Sequence, residues 1–262
     1  MSTTSSLGRH GAVPSEFSAV EWEARCDLAA CYRLVDHYGW SDLFGTHLSL
    51  RVTGTEHFLL NPYGILFGEI TASSLIKVDQ DGNTLSDSDF PINPAGFTIH
   101  SAVHMSSDVM NAVMHTHTRA GNAVACMKGG LLPLNQKALL IQSAVTYHDY
   151  ESVALDHSER ERIVSDLGDG RIMVLRNHGL LTVGETIAEA FFWMHRMETA
   201  CQYQVDALAL GQELQYPTQE TIDYTIEVGK KIQGKRRVEM ETRQWAAMIR
   251  QLEREVGDDW RS

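Results

Sequence analysis

The chemistry of this chain is to be sought among its histidines, of which there are 12. His115-Thr116-His117 places two imidazoles two positions apart. On a strand, such residues project from the same face, close enough to share one ion. His178, in Arg176-Asn177-His178-Gly179, ends a second apolar strand pattern, and Gly179 would let the backbone turn directly after it. Three neutral imidazoles with a fourth position open make the coordination set of a catalytic site rather than a closed structural one. Histidines in apolar strands also serve as hydrogen-bonded core residues, and spacing alone does not separate the two readings.

Composition narrows the class. With 43% hydrophobic and 21% charged residues, the 262-residue chain has the make-up of a globular protein. Its net charge of −12 speaks against a phosphate-binding surface, and the basic run at 230–237 reads as a solvated helix face, so no nucleic-acid partner is expected. No apolar run reaches the roughly 18 residues of a membrane span. Cys26, Cys31, Cys126 and Cys201 form no Cys-x-x-Cys pair, and the polar start lacks a secretory pattern. Reduced thiols and a cytoplasmic protein are the expectation. Neither a Walker loop nor a Gly-x-Gly-x-x-Gly turn after a strand is present.

The elements that must position the histidines follow from periodicity. Residues 1–17 are small and polar and read as a flexible segment; 18–262 read as a single α/β domain with a helical C-terminal tail. Ser18-Ala19-Val20-Glu21 is a capping-box pattern opening a helix that stops at Gly39. In Thr46-His47-Leu48-Ser49-Leu50-Arg51-Val52 the period becomes two, with His47, Ser49 and Arg51 opposite the apolar residues. Strands are predicted at 57–60, 76–79, 108–117 and 171–177, and short helices after Asn93 and from Thr118. Thr186-Ile187-Ala188-Glu189 is a second capping box, opening a helix of roughly 25 residues that ends at Gly211. The tail from Pro217 is helical in composition, with Gly229 and Gly234 as weak points, and His148 is placed on a loop.

Over residues 20–211 the chain resembles the class II aldolase/adducin family. The likeness rests on Gly45-Thr46-His47-Leu48-Ser49-Leu50-Arg51, Asn61-Pro62-Tyr63-Gly64, Asn93-Pro94-Ala95-Gly96-Phe97-Thr98-Ile99-His100, the stretch 108–117, His148-Asp149-Tyr150 and Leu175-Arg176-Asn177-His178-Gly179. It implies a three-layer α/β/α sandwich around a mostly antiparallel sheet, and a homotetramer with its sites between subunits. It also implies that His115, His117 and His178 hold a divalent metal, zinc first, with Fe2+, Mn2+ or Co2+ compatible. Such an ion stabilises the enolate formed when a carbon–carbon bond beside a carbonyl is cleaved.

The resemblance has gaps. Gly96 stands where the sugar-phosphate aldolases carry an acid/base Glu, and Pro94 and Ala95 stand where they carry phosphate-binding serines; this stretch is closer to the adducin-like branch. His47 stands where these aldolases usually have Asn, and with His100 it is a candidate to replace the missing proton-transfer group, an imidazole being matched to that task near neutral pH. His104, one turn further along, is a weaker candidate, and His148 could touch substrate. His195 reads as core or interface, and Tyr216 and Tyr224 stand in the region from which family enzymes lend a neighbour a tyrosine. The expected function is a metal-dependent lyase, aldolase or decarboxylase, acting on a small unphosphorylated hydroxy-keto or keto-acid substrate. A non-haem Fe(II) oxygenase on the same histidines and a non-catalytic adducin-like module are the alternatives.

Overall fold

In the computed structural model, which describes residues 10–152 and 158–262 and only the backbone of 234–242, the Ser18 hydroxyl accepts the Glu21 amide hydrogen and opens α1 (Ala19–His37). The expected box is only half made, because the Glu21 carboxylate bonds Arg25 and Lys77 instead. Gly39 ends the helix in the left-handed region, with φ 68°. Along the chain follow β1 (His47–Arg51), β2 (Phe58–Leu60), β3 (Ile76–Val78), α2 (Pro94–Ser106), β4 (Ala112–Thr116), α3 (Arg119–Ala125) and α4 (Gln136–Ile141). Then come β5 (Val145–His148), α5 (Glu159–Leu167), β6 (Ile172–Leu175), β7 (Gly179–Gly184), α6 (Ile187–Ala209), α7 (Gln219–Glu239) and α8 (Ala246–Glu255).

The strands form one sheet of order β3-β2-β1-β4-β7-β6-β5, antiparallel throughout except for the parallel pair β5–β6. Helices cover both faces, so every strand of its centre is buried twice. On one side Leu48, Leu50, Met114, Val174 and Leu180 pack in the cluster that also holds residues of α1, α3 and α6. On the other, Val113, Met173, Leu181 and Val183 pack with Ile99 and Val103 of α2 and Ile163 of α5. The alternation expected in β1 is present, but its polar side is not solvated: His47, Ser49 and Arg51 are all buried, in contact with His100 and His104 of α2.

Some expectations shift. His148 is the last residue of β5 rather than a loop residue. Gly229 is not a weak point in α7 but a close approach: a Cβ there would lie 2.6 Å from the Leu140 carbonyl oxygen. Of the segment expected to be flexible, residues 1–9 lie outside the described residues, whereas His10 is buried with Nε2 3.2 Å from Asp27, and Phe17 stacks on Trp22. The run at 230–237 falls on α7, and its side chains from 234 onward lie outside the described residues.

One side chain completes the sheet beside the histidines. Pairing of β1 with β2 covers only Leu50 and Arg51, leaving Leu48 without a strand on that side. The fully buried Tyr32 hydroxyl takes its place: it accepts the Leu48 amide hydrogen at 2.8 Å and lies 2.5 Å from the Leu48 carbonyl and 2.9 Å from Asn61 Oδ1. Tyr32→Phe strands these backbone groups away from water, so it is expected to cost about 2–3 kcal/mol. The check is a lowered urea midpoint with an unchanged slope.

Candidate functional site

Register, not sequence proximity, assembles the site. His47 lies opposite His115 across β1–β4, and His115 lies opposite Leu181 across β4–β7. The β6–β7 hairpin closes at Leu175 and Gly179, so His178 sits in its turn. Asn177 adopts φ 57° there, a left-handed conformation that Asn tolerates better than most residues. Gly179 is needed for a second reason: a Cβ would fall 2.5 Å from the Thr116 carbonyl oxygen and 3.1 Å from the His117 ring.

His115, His117 and His178 thereby converge, each offering a nitrogen within 4.8 Å of the others. Their ring centroids are 4.6, 4.7 and 4.9 Å apart. Hydrogen-bond accounting supports a cation there. His115 Nδ1 lies 3.0 Å from the Leu180 carbonyl and His117 Nδ1 lies 3.0 Å from the Asp42 carboxylate, both pure acceptors, so each Nδ1 must donate. The two Nε2 atoms, 2.9 Å apart, are then bare lone pairs facing each other unless one ring is charged or a cation lies between them. Burial, reinforced by neighbouring imidazoles, holds His115 well below the usual histidine range and His178 at about 4. Neutral rings with oriented lone pairs are what a divalent metal needs. Thr118 tethers the end of this segment by donating to the buried Glu198 carboxylate at 2.5 Å.

A cavity of about 240 Å³ opens on these rings, with His47, Asn93, Ala95 and Tyr150 also in its wall. The start of α2 borders it, yet its first backbone amides are not free for an anion. Pro94 has no N–H, and Asn93 accepts from the Ala95 and Gly96 amides through Oδ1 and from the Phe97 amide through its carbonyl. No Lys or Arg is in the cavity wall among the described residues.

The two histidines proposed for proton transfer occupy different places. His47 faces the cavity. His100 is fully buried and does not line it; it stands behind, with its Nε2 2.8 Å from His47 Nδ1. A buried ring with no path to substrate cannot touch it, so His100 passes from catalytic candidate to supporting residue. Further back, Ser49 Oγ lies 2.5 Å from His100 Nδ1 and 2.7 Å from His104 Nε2. His148 lies between Asp166 and Glu159, bordering a recess next to His178. His195 sits among Tyr38, Trp40 and Phe191, held low by burial. Tyr216 and Tyr224 are exposed and line no part of this cavity. Asp42 lay in no motif; Ser49 and Asn93 lay in stretches that carry the family likeness, with no signal of their hydrogen-bonding roles.

Comparison with known proteins agrees with this geometry. Residues 26–205 match the profile described as the Class II Aldolase and Adducin N-terminal domain. A Pseudomonas aeruginosa protein with a provisional aldolase class 2 name is 54% identical over 202 residues, covering 77% of this chain and 78% of that protein. Alpha-adducin of Rattus norvegicus is 44% identical over 189 residues, 71% of this chain but 26% of adducin. The solved L-fuculose 1-phosphate aldolase from Glaciozyma antarctica PI12 superposes with a TM-score of 0.78 at 25% identity, covering 98% of this chain and 100% of that one.

Burying neutral histidines makes the fold acid-sensitive. Burial holds His100 well below 6.5 and, with the Arg51 charge, brings His104 down to about 3. In the unfolded chain both bind protons below roughly pH 6.5, so stability is complete above that pH and falls as pH drops toward the folded values. The loss is roughly 1 kcal/mol per pH unit for each ring. Urea midpoints from pH 7.5 to 5 should fall, and His104→Gln should give a shallower fall than the wild type.

Proposed function

Because the chain belongs to the class II aldolase and adducin family, we propose that it is a metal-dependent carbon–carbon lyase of aldolase or decarboxylase type. The observation that carries this reading is the convergence of His115, His117 and His178, with the outer nitrogens of His115 and His117 committed to acceptors. Zinc is the ion we assign, held by those three residues. A divalent cation there would offset the negative charge that builds on a carbonyl oxygen as the adjacent bond breaks. His115, oriented by the Leu180 carbonyl, and His117, oriented by Asp42, keep their lone pairs toward that position. His47 is the side chain that meets the substrate beside it. His47, Asn93 and Tyr150 form the wall that fixes the substrate's orientation.

We place the substrate among small unphosphorylated hydroxy-ketones or keto acids. The occupied amides at the start of α2 and the lack of a cation in the described wall leave a phosphate without a charged side-chain partner. Pro94 and Ala95, where the sugar-phosphate aldolases carry phosphate-binding serines, argue the same way, and Gly96 in place of their acid/base Glu is a likeness to the adducin-like branch of the family. The three convergent histidines favour an enzyme over a purely structural module. A homotetramer with sites at subunit borders is part of the proposal: Leu43, next to Asp42, and Tyr150, in the cavity wall, are exposed and suited to burial by a neighbour.

Elemental analysis of the untagged protein tests the centre. One zinc per chain, lost in His115→Ala and His178→Ala, is expected, and Asp42→Asn should weaken metal affinity about 10–100-fold. Iron in zinc's place would instead favour oxygenase chemistry, and no metal after reconstitution would overturn the centre. A panel of ketols and keto acids with their phosphorylated counterparts tests the substrate class: kcat/KM should be at least about tenfold higher for the unphosphorylated members, a difference of roughly 1.4 kcal/mol.

A further inference from the structure

His47 is held in an unusual way. Gly96 is the third residue of α2, inside a helix, and no left-handed backbone requires a glycine there. What does require it is the His47 ring: a Cβ on residue 96 would lie 2.6 Å from His47 Cδ2 and 2.8 Å from Cγ. The imidazole fills the space that any side chain at 96 would enter. Behind it runs an unbroken chain of short contacts, from His47 Nδ1 to His100 Nε2, His100 Nδ1 to Ser49 Oγ, and Ser49 Oγ to His104 Nε2, at 2.8, 2.5 and 2.7 Å. All four residues are buried. Only Nε2 of His47 is left to face the cavity.

Each link carries one hydrogen, and Ser49 must donate one of its two, since accepting from both rings would leave its own buried O–H without an acceptor; with neutral rings the chain then points in one of two directions. If His104 donates to Ser49, Ser49 to His100 and His100 to His47, then His47 keeps its own proton on Nε2, and His104 Nδ1 is a bare lone pair. In the reverse direction His104 must carry a proton on Nδ1. That atom is buried without a hydrogen-bond partner; the Met110 backbone favours its charged form but makes no hydrogen bond to it. The Arg51 guanidinium, which donates to the His104 and Ser107 carbonyls, adds to burial in holding His104 neutral. A bare lone pair near a permanent cation is favoured over an orphaned N–H there.

We propose that His47 serves as a neutral hydrogen-bond donor to a substrate oxygen rather than as a base, its proton fixed on Nε2 by the chain His104–Ser49–His100 and its ring seated in the space left by Gly96. His47 is the catalytic residue; His100, Ser49, His104 and Gly96 are positioning residues. This rests on reading the cavity as the substrate site, but its tests need neither turnover nor bound metal. A donor aimed at an oxygen on which charge develops lowers a barrier without itself changing charge.

The experiment is long-range proton–nitrogen correlation on untagged full-length protein labelled with nitrogen-15 histidine, with His47 assigned by the signal lost in His47→Gln. The expected result is a proton bonded to His47 Nε2 and none on Nδ1, replaced by an exchange-averaged mixture in Ser49→Ala and restored in Ser49→Thr. A proton on Nδ1 in the wild type, or a Ser49→Ala spectrum that leaves His47 unchanged, overturns the proposal. Should Ser49→Ala not fold, Gly96→Ala decides the seat. Helix propensity alone predicts a raised urea midpoint. The proposal predicts a lowered one in the wild type and a raised one in a His47→Ala background, and a raised midpoint in both overturns it. Failure to find metal or activity would count against the lyase while leaving these outcomes to stand or fall separately.

Discussion

A buried imidazole has two nitrogens, and each must find a partner or face a ligand. Much of the structure around the cavity follows from meeting that demand for several rings at once. Leu180 supplies a carbonyl to His115, Asp42 a carboxylate to His117, and Ser49 an oxygen shared by His100 and His104. The polar face of β1 is under α2 rather than in water because those partners are there. Ser49 joins His100 to His104, and Arg51 holds the carbonyls at the end of α2, so the strand and the helix are joined by polar bonds as well as by apolar packing. Buried polar networks of this kind tie elements to one arrangement as apolar packing alone does not.

The outer nitrogens of the converging rings explain why this part of the molecule suits a cation. Accepting groups on the far side of His115 and His117 turn both lone pairs inward. Burial presses His115, and behind it His100 and His104, toward the neutral form. An ion placed there would keep its full field for the substrate. The capped start of α2 leaves no backbone amide there as a positive pole, so an ion would be the main positive charge facing the cavity, beside the neutral donors of Asn93, Tyr150 and Ser152 in its wall.

Much of this was legible in the sequence, and the misses have physical reasons. The two helix caps, the alternation in β1 and the His-x-His strand are local patterns with fixed periods, and they stand where periodicity put them. The likeness to the family extended this to the sheet and the helices on both its faces. What could not be read is what depends on register: His47 opposite His115, Ser49 between two histidines of α2, Asp42 reaching across to His117. Gly96 looked like a lost functional group because sequence shows only that a side chain is missing; the structure shows which ring occupies the volume. His100 stood out as a candidate for either a catalytic or a supporting role, and the sequence could not choose, since spacing along a helix gives direction but not depth. His148 was misjudged because β5 pairs in parallel with β6, and such a short edge strand has no hairpin turn to announce it.

The tether between β4 and β7 also has a bearing on how the protein is made. His115 draws its orientation from Leu180, 65 residues further along, and His178 arrives on the same late hairpin. His115 and His117 therefore leave the ribosome as an incomplete pair, with a lone-pair arrangement that only long-range strand pairing can create. Loop closure of that length is slow compared with local helix formation. A metal held by these three histidines would need the centre of the sheet to have closed first, so its uptake would be a late event in biogenesis and a marker that the sheet has been correctly threaded.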